Sequence, residues 1–169
     1  VKYFVRNGYT KPDDIAVLTP YLGQMMKIKR ALSKSFVVVI DERDAQDIAE
    51  IEERQVGDTK GKDNIDDGNQ NASSKSLNQQ VALRTVDNFQ GEEANIVIIS
   101  LVRNFSKSGN AGGHDSIGFL KSTNRTNVLL SRAREGMYLI GNSELMSDKS
   151  KDMWAPVIDI LRKRKQVDF

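Results

Sequence analysis

Three stretches decide the fold. Thr85 to Glu93 reads T-V-D-N-F-Q-G-E-E, Ile96 to Asn104 reads I-V-I-I-S-L-V-R-N, and Asn124 to Gly136 reads N-R-T-N-V-L-L-S-R-A-R-E-G. The middle one is nearly continuous in apolar residues, as a strand covered on both faces must be. Strands are therefore expected at Val81 to Val86 and Ile96 to Val102, and a helix from about Ser122 to Arg134, followed by a strand from Met137 to Ile140. Upstream, Asp13 and Asp14 precede an apolar strand Ile15 to Leu18, after which Tyr21, Met25, Ile28 and Leu32 recur at helical spacing. Downstream, Trp154, Val157, Ile158 and Leu161 mark a last helix from about Met153 to Lys165. Strand and helix in alternation imply an α/β fold, a mainly parallel sheet with helices on both sides.

Composition is that of one soluble domain: 169 residues, 38% hydrophobic and 28% charged. Zero cysteines exclude disulfides, thiolate metal ligation and thiol catalysis within the segment. No run of about 18 apolar residues and no charged-then-apolar leader is present, so no membrane partner is expected and the chain reads as intracellular, nuclear or cytoplasmic. It begins with Val1 in mid-element, as a piece of a longer protein would. The net charge of +2 is uneven: residues 41–70 hold 11 of the 23 acids and 4 of the 25 bases, leaving 21 bases against 12 acids elsewhere. Such a basic remainder favours a phosphate backbone, although lysines also merely solvate helix faces. R-K-R-K (Arg162 to Lys165) suits a helix C-terminus as well as it suits nucleic acid.

Residues 43–79 differ in character from the rest. They are acidic, then rich in Asn, Ser, Gln, Gly and Lys, too polar to offset chain entropy by burial. Gly57 to Ser76 is read as a disordered surface insert, with Asp44 to Arg54 as a short exposed helix. A second polar loop, Ser106 to Ser116, carries the only histidine, His114, whose isolation argues against metal or acid-base work. Just before the insert, V-V-V-I-D-E-R-D-A-Q (Val37 to Gln46) has the look of a strand ending in a magnesium-holding Asp-Glu pair. Its position in the order and the lack of a phosphate loop favour a plain strand with a polar end. No metal site is expected.

Taken together, I-A-V-L-T-P-Y-L-G-Q (Ile15 to Gln24), T-V-D-N-F-Q-G-E-E and N-V-L-L-S-R-A-R-E-G resemble motifs IV, V and VI of superfamily 1 RNA helicases of the Upf1-like group. The phrase from Ile117 to Asn142 is similar to the NFX1-type zinc finger helicases almost throughout. The resemblance covers Ile15 to Asn142, the insert excepted. It implies that 1–169 is a single RecA-like domain, the second motor domain of an ATP-dependent helicase acting on single-stranded nucleic acid, RNA being the expected kind. No G-x-x-x-x-G-K-[ST] occurs, so ATP and Mg2+ are expected to be held mainly by a first RecA-like domain of the same protein. A catalytically inactive RecA-like scaffold and a DNA-acting helicase remain as alternatives.

The same resemblance implies roles for individual residues. Arg132, after Ser131, corresponds to the arginine finger that meets charge on the transferring phosphoryl group. Two positions apart on the expected helix, Arg132 and Arg134 are about 200° apart and cannot share a target, leaving Arg134, on the nucleotide side, to brace the motif V turn or a neighbouring acid. Arg125, one heptad earlier, is open between lining that cleft and making a surface pair. Gln90, Gly91 and Glu93 are expected at the nucleotide, Gly91 allowing close backbone approach. Thr85, Val86 and Asp87 are expected at the nucleic acid backbone, held by a hydroxyl and main-chain N-H groups. Thr19, Pro20 and Tyr21 form the matching grip, with core packing an equal alternative for Tyr21. Arg103 and Asn104 lie at the carboxyl end of a parallel strand, where such sheets place ligands.

Overall fold

The computed structural model describes residues 1–56, 79–102 and 117–167. Five strands, β1 (Ile15–Thr19), β2 (Val37–Ile40), β3 (Gln80–Thr85), β4 (Ala94–Ser100) and β5 (Ala133–Ile140), form one sheet in the order β2-β3-β1-β4-β5. Every pairing is parallel. With its flanking helices this is the RecA-like α/β architecture. The helices are α1 (Lys2–Arg6), α2 (Leu22–Leu32), α3 (Glu42–Val56), α4 (Thr123–Leu130), α5 (Ser143–Lys149) and α6 (Trp154–Lys163).

Alternation along the central strand sorts the core into two layers. Ala16 and Leu18 of β1 face one side, with Val97 and Ile99 of β4, and are covered by Leu129 of α4, Leu145 and Met146 of α5, and Trp154 and Ile158 of α6. Ile15 and Val17 face the other, with Ile96 and Ile98, under Met25 of α2 and Ile48 of α3. All five residues of β1 are buried, which is why its sequence shows no alternation.

Two expectations are corrected here. The helix expected to run to Arg134 stops at Leu130, and β5 begins at Ala133 rather than Met137. R-A-R-E are good helix formers, but the backbone there pairs with β4: Ala94 N donates to Arg132 O at 3.1 Å, and Ala94 lies opposite Ala133. Between that pair and Ile96 opposite Gly136 the register slips, so β5 carries an extra residue around Arg134 and Glu135. The segment with the Asp-Glu ending is, as expected, a plain strand with a polar end, the sheet-edge β2, and Asp41 serves as the N-cap of α3, its Oδ1 accepting from Arg43 N at 2.9 Å. The second correction is that α3 occupies the first part of the 43–79 segment and is not simply exposed, since Asp44 and Ile48 are buried. Residues 57–76, and the loop 106–116 with His114, lie outside the described residues.

Candidate nucleotide and nucleic acid site

Because all five strands run the same way, the sheet has one amino edge and one carboxyl edge. The expected nucleotide residues gather at the first. Glu93 immediately precedes β4, and Arg132 immediately precedes β5, its neighbour. Arg134 Nε donates to Glu93 Oε2 at 3.2 Å across a half-exposed pair. The Arg132 guanidinium turns back onto α4: Nε donates to Val128 O at 3.1 Å, and Nη2 to Ser131 Oγ at 3.0 Å. Val128 O also accepts from Ser131 N at 3.4 Å, so the guanidinium adds to a carbonyl already capped and suits the negative end of the helix dipole. Neither arginine is helical, so the 200° argument does not hold. Their different partners, Glu93 for one and the end of α4 for the other, are what separate them.

Gln90 and Gly91 are exposed just before Glu93. Gly91 has φ of +89°, and a Cβ built on it meets nothing within 4 Å. The glycine is therefore needed for backbone conformation and not for room within this chain. Gly91→Ala is expected to cost about 1–2 kcal/mol, the penalty for an L side chain in the left-handed region. A melting temperature lowered by more than about 10 °C would mean that the side chain meets something besides its own backbone.

At the carboxyl edge, Thr19 and Thr85 lie opposite one another at the ends of β1 and β3. Thr19 is completely buried, and its Oγ1 has no partner among the described residues. Pro20 and Tyr21 are half-buried, and Tyr21 is the N-cap residue of α2. From the same motif, Gln24 Nε2 reaches Ser100 Oγ at 3.4 Å, tying α2 to the end of β4. Val86 is a core residue, 1% exposed, so only its main chain faces outward chemistry. Asp87 is exposed and paired with Arg125, whose Nε and Nη2 donate to the carboxylate at 3.2 and 3.3 Å. Of the two readings left open for Arg125, the structure has the ion pair. Arg103 and Asn104 lie outside the described residues. Just before them Val102 has φ of +68°, a strained conformation for a β-branched residue.

One residue essential to this geometry was not expected at all. Asp44 of α3 is completely buried, and its carboxylate accepts from Thr85 N at 2.9 Å, Thr85 Oγ1 at 2.6 Å and Asn88 Nδ2 at 2.7 Å. The hydroxyl and N-H expected to hold a nucleic acid phosphate are thus already occupied. The only sequence signal was the i, i+4 spacing of Asp44 and Ile48, which marks a buried stripe but not a polar partner 41 residues away.

Residues 85–93 therefore run from one edge of the sheet to the other, a distance set by the seven residues of β4 and so about 20 Å. Phe89, 1% exposed, anchors the middle. Arg84, at the end of β3, lies 3.8 Å from Glu92 and donates from Nη1 to Val39 O at 2.6 Å. Beneath the segment is a cleft of about 90 Å³ bordered by Val39, Arg84, Phe89, Glu92 and Glu93. The exposed ion pairs on this segment are each worth at most about 1 kcal/mol, so their effect is to orient and not to stabilise.

Comparison with known proteins bears on the family and the fold. A family model described as AAA domain matches residues 1–144. Helicase sen1 of Schizosaccharomyces pombe is 39% identical over 94 residues, 56% of this chain and 5% of that protein. NFX1-type zinc finger-containing protein 1 of Homo sapiens is 40% identical over 167 residues, 98% of this chain and 6% of that protein. Regulator of nonsense transcripts 1 homolog of Drosophila melanogaster is 32% identical over 162 residues, 96% of this chain and 10% of that protein. The chain thus spans a small part of each relative's length.

Proposed function

This chain belongs to the AAA-domain family found in the C-terminal region of Upf1-like superfamily 1 helicases, and from that premise we propose that it is the second RecA-like half of an ATP-driven helicase. In this reading 1–169 is one domain of a longer protein, with 43–79 inserted in it, and it works on single-stranded RNA within the cell. The observation that carries the reading is the division of labour between the edges: Glu93, Arg132 and Arg134 at the amino edge, the ends of β1 and β3 at the carboxyl edge, and one segment joining them. Helicase is also the word in the name of a further relative, Putative ATP-dependent RNA helicase ECM32 of Saccharomyces cerevisiae, 30% identical over 155 residues.

The donor set fits a nucleoside triphosphate. Arg132 supplies a guanidinium to the transferring phosphoryl group once the facing domain closes, leaving the end of α4 to do so. Glu93 accepts from a hydroxyl of the bound nucleotide, with Arg134 holding its carboxylate in place, and Gln90 and Gly91 shape the turn. The Mg2+ that accompanies ATP neutralises phosphate charge and is assigned to the preceding domain. At the other edge, Pro20, Tyr21 and the main chain of Val86 and Asp87 contact the nucleic acid backbone, joined by Arg103 and Asn104.

A second reading, a RecA-like scaffold without turnover, is favoured by two contacts: Arg132 rests on α4, and the donors of Thr85 are taken by Asp44. Hydrolysis separates them. A protein carrying this chain together with its preceding domain is expected to hydrolyse ATP faster with single-stranded RNA present. The 169-residue chain by itself is expected to hydrolyse none. Turnover by the isolated chain that a substitution within it abolishes would overturn the division between the halves. A DNA preference in the stimulation would replace RNA as the substrate.

A further inference from the structure

Asp44 is in the first turn of α3 but does not cap it, since that position belongs to Asp41. Its carboxylate is aimed instead at the segment between the two edges, and all three of its donors come from Thr85 and Asn88. A buried carboxylate without partners is strongly unfavourable, so its donors are held firmly. Here the charge is met by three bonds, one of them as short as 2.6 Å, as charge-assisted bonds are. The segment is consequently fixed at its upper end by Asp44 and in its middle by the buried Phe89, while at its lower end Glu93 is oriented by Arg134 and then enters β4 at Ala94. A segment held at both ends moves as a unit, whereas one loose at the top absorbs a displacement there without passing it on.

We infer that Asp44 is a positioning residue that couples the two edges: by gripping Thr85 and Asn88 it makes a shift at the nucleic acid track reach Glu93, so that bound nucleic acid accelerates hydrolysis. It contacts neither ligand and acts through the 85–93 segment. The inference rests on the helicase reading above, and it gives α3, the helix that leads into the insert, a functional connection to that segment.

The test is Asp44→Asn in the protein carrying both RecA-like halves, measuring ATP hydrolysis with and without saturating single-stranded RNA, RNA affinity and melting temperature. Asparagine keeps the shape but sets an N-H against the donors of Thr85 or Asn88, so the grip is weakened without a change of volume. The RNA-stimulated rate is expected to fall about tenfold while the unstimulated rate stays within about twofold, one decade corresponding to about 1.4 kcal/mol. Asn88→Ala, which removes one donor of three and leaves the carboxylate two, is expected to shift stimulation the same way by less, and keeps the test readable should Asp44→Asn not fold. Both rates and the melting temperature falling in parallel would reduce Asp44 to a structural role. Unchanged stimulation would remove the coupling. A rise in RNA affinity and in the stimulated rate would show instead that the carboxylate blocks Thr85. Absence of stimulation in the unsubstituted protein overturns the helicase reading itself, an outcome distinct from all of these.

Discussion

Arg132→Ala, in the protein with both halves, is expected to lower ATP hydrolysis by about 10³-fold or more while leaving RNA binding without nucleotide nearly intact, because the charge it meets develops only in the transition state. The structure adds a second quantity to be read in the same variant. The guanidinium rests on Val128 O and Ser131 Oγ at the end of α4, so its removal also takes away a C-terminal cap. That contribution is about 0.3–1 kcal/mol, a small change in melting temperature. Lysine restores the charge at the helix end but not the planar fork that spans two phosphate oxygens, so Arg132→Lys is expected to recover the stability and little of the rate. A wild-type rate for Arg132→Ala makes this arginine a cap alone and favours the scaffold.

Trp154→Ala is expected to have the largest effect on stability. The side chain is 1% exposed, packs in the layer formed with Leu129, Met146 and Ile158, and donates from Nε1 to Leu120 O at 3.0 Å. Removing a buried aromatic costs about 3–5 kcal/mol in lost burial and residual cavity. At roughly 2–4 °C per kcal/mol for a chain of this size, melting should fall by about 6–20 °C. Trp154→Phe separates packing from the polar bond, since Leu120 O keeps the Thr126 hydroxyl at 3.3 Å as a donor. It should cost well under half as much. Equal losses in the two variants would place the stabilisation in the indole N-H.

What the sequence disclosed follows from how local each signal is. The strands near Ile15, Val81 and Ile96 were legible because each is a short apolar run between turn residues, and α2 and α6 because their apolar residues recur at helical spacing over ten or more positions. The five residues of α1 and seven of α5 are too short for a period to declare itself, although Asn142, whose Oδ1 accepts from Leu145 N at 2.9 Å, is a capping signal that could have revealed α5. The boundary after Leu130 was not legible, since helix propensity favours continuing through Arg-Ala-Arg-Glu and only pairing with β4, some 40 residues earlier, decides otherwise. The site divides in the same manner. Glu93, Arg132 and Arg134 were legible as candidates, but the grip of Asp44 on Thr85 depends on tertiary proximity alone.

The burial of all five residues of β1 bears on how the chain is made. Its two neighbours are both later in the sequence: Ala16 waits for Ala82 on one side and for Val97 on the other. At ribosomal speeds of about 5–20 residues per second, this fully buried strand stays without either partner for roughly 3–15 s. An unpaired apolar strand is a template for association with other nascent chains. The central position that makes β1 the best protected strand of the finished domain therefore makes Ile15–Thr19 the segment with the longest exposure to chaperones during synthesis.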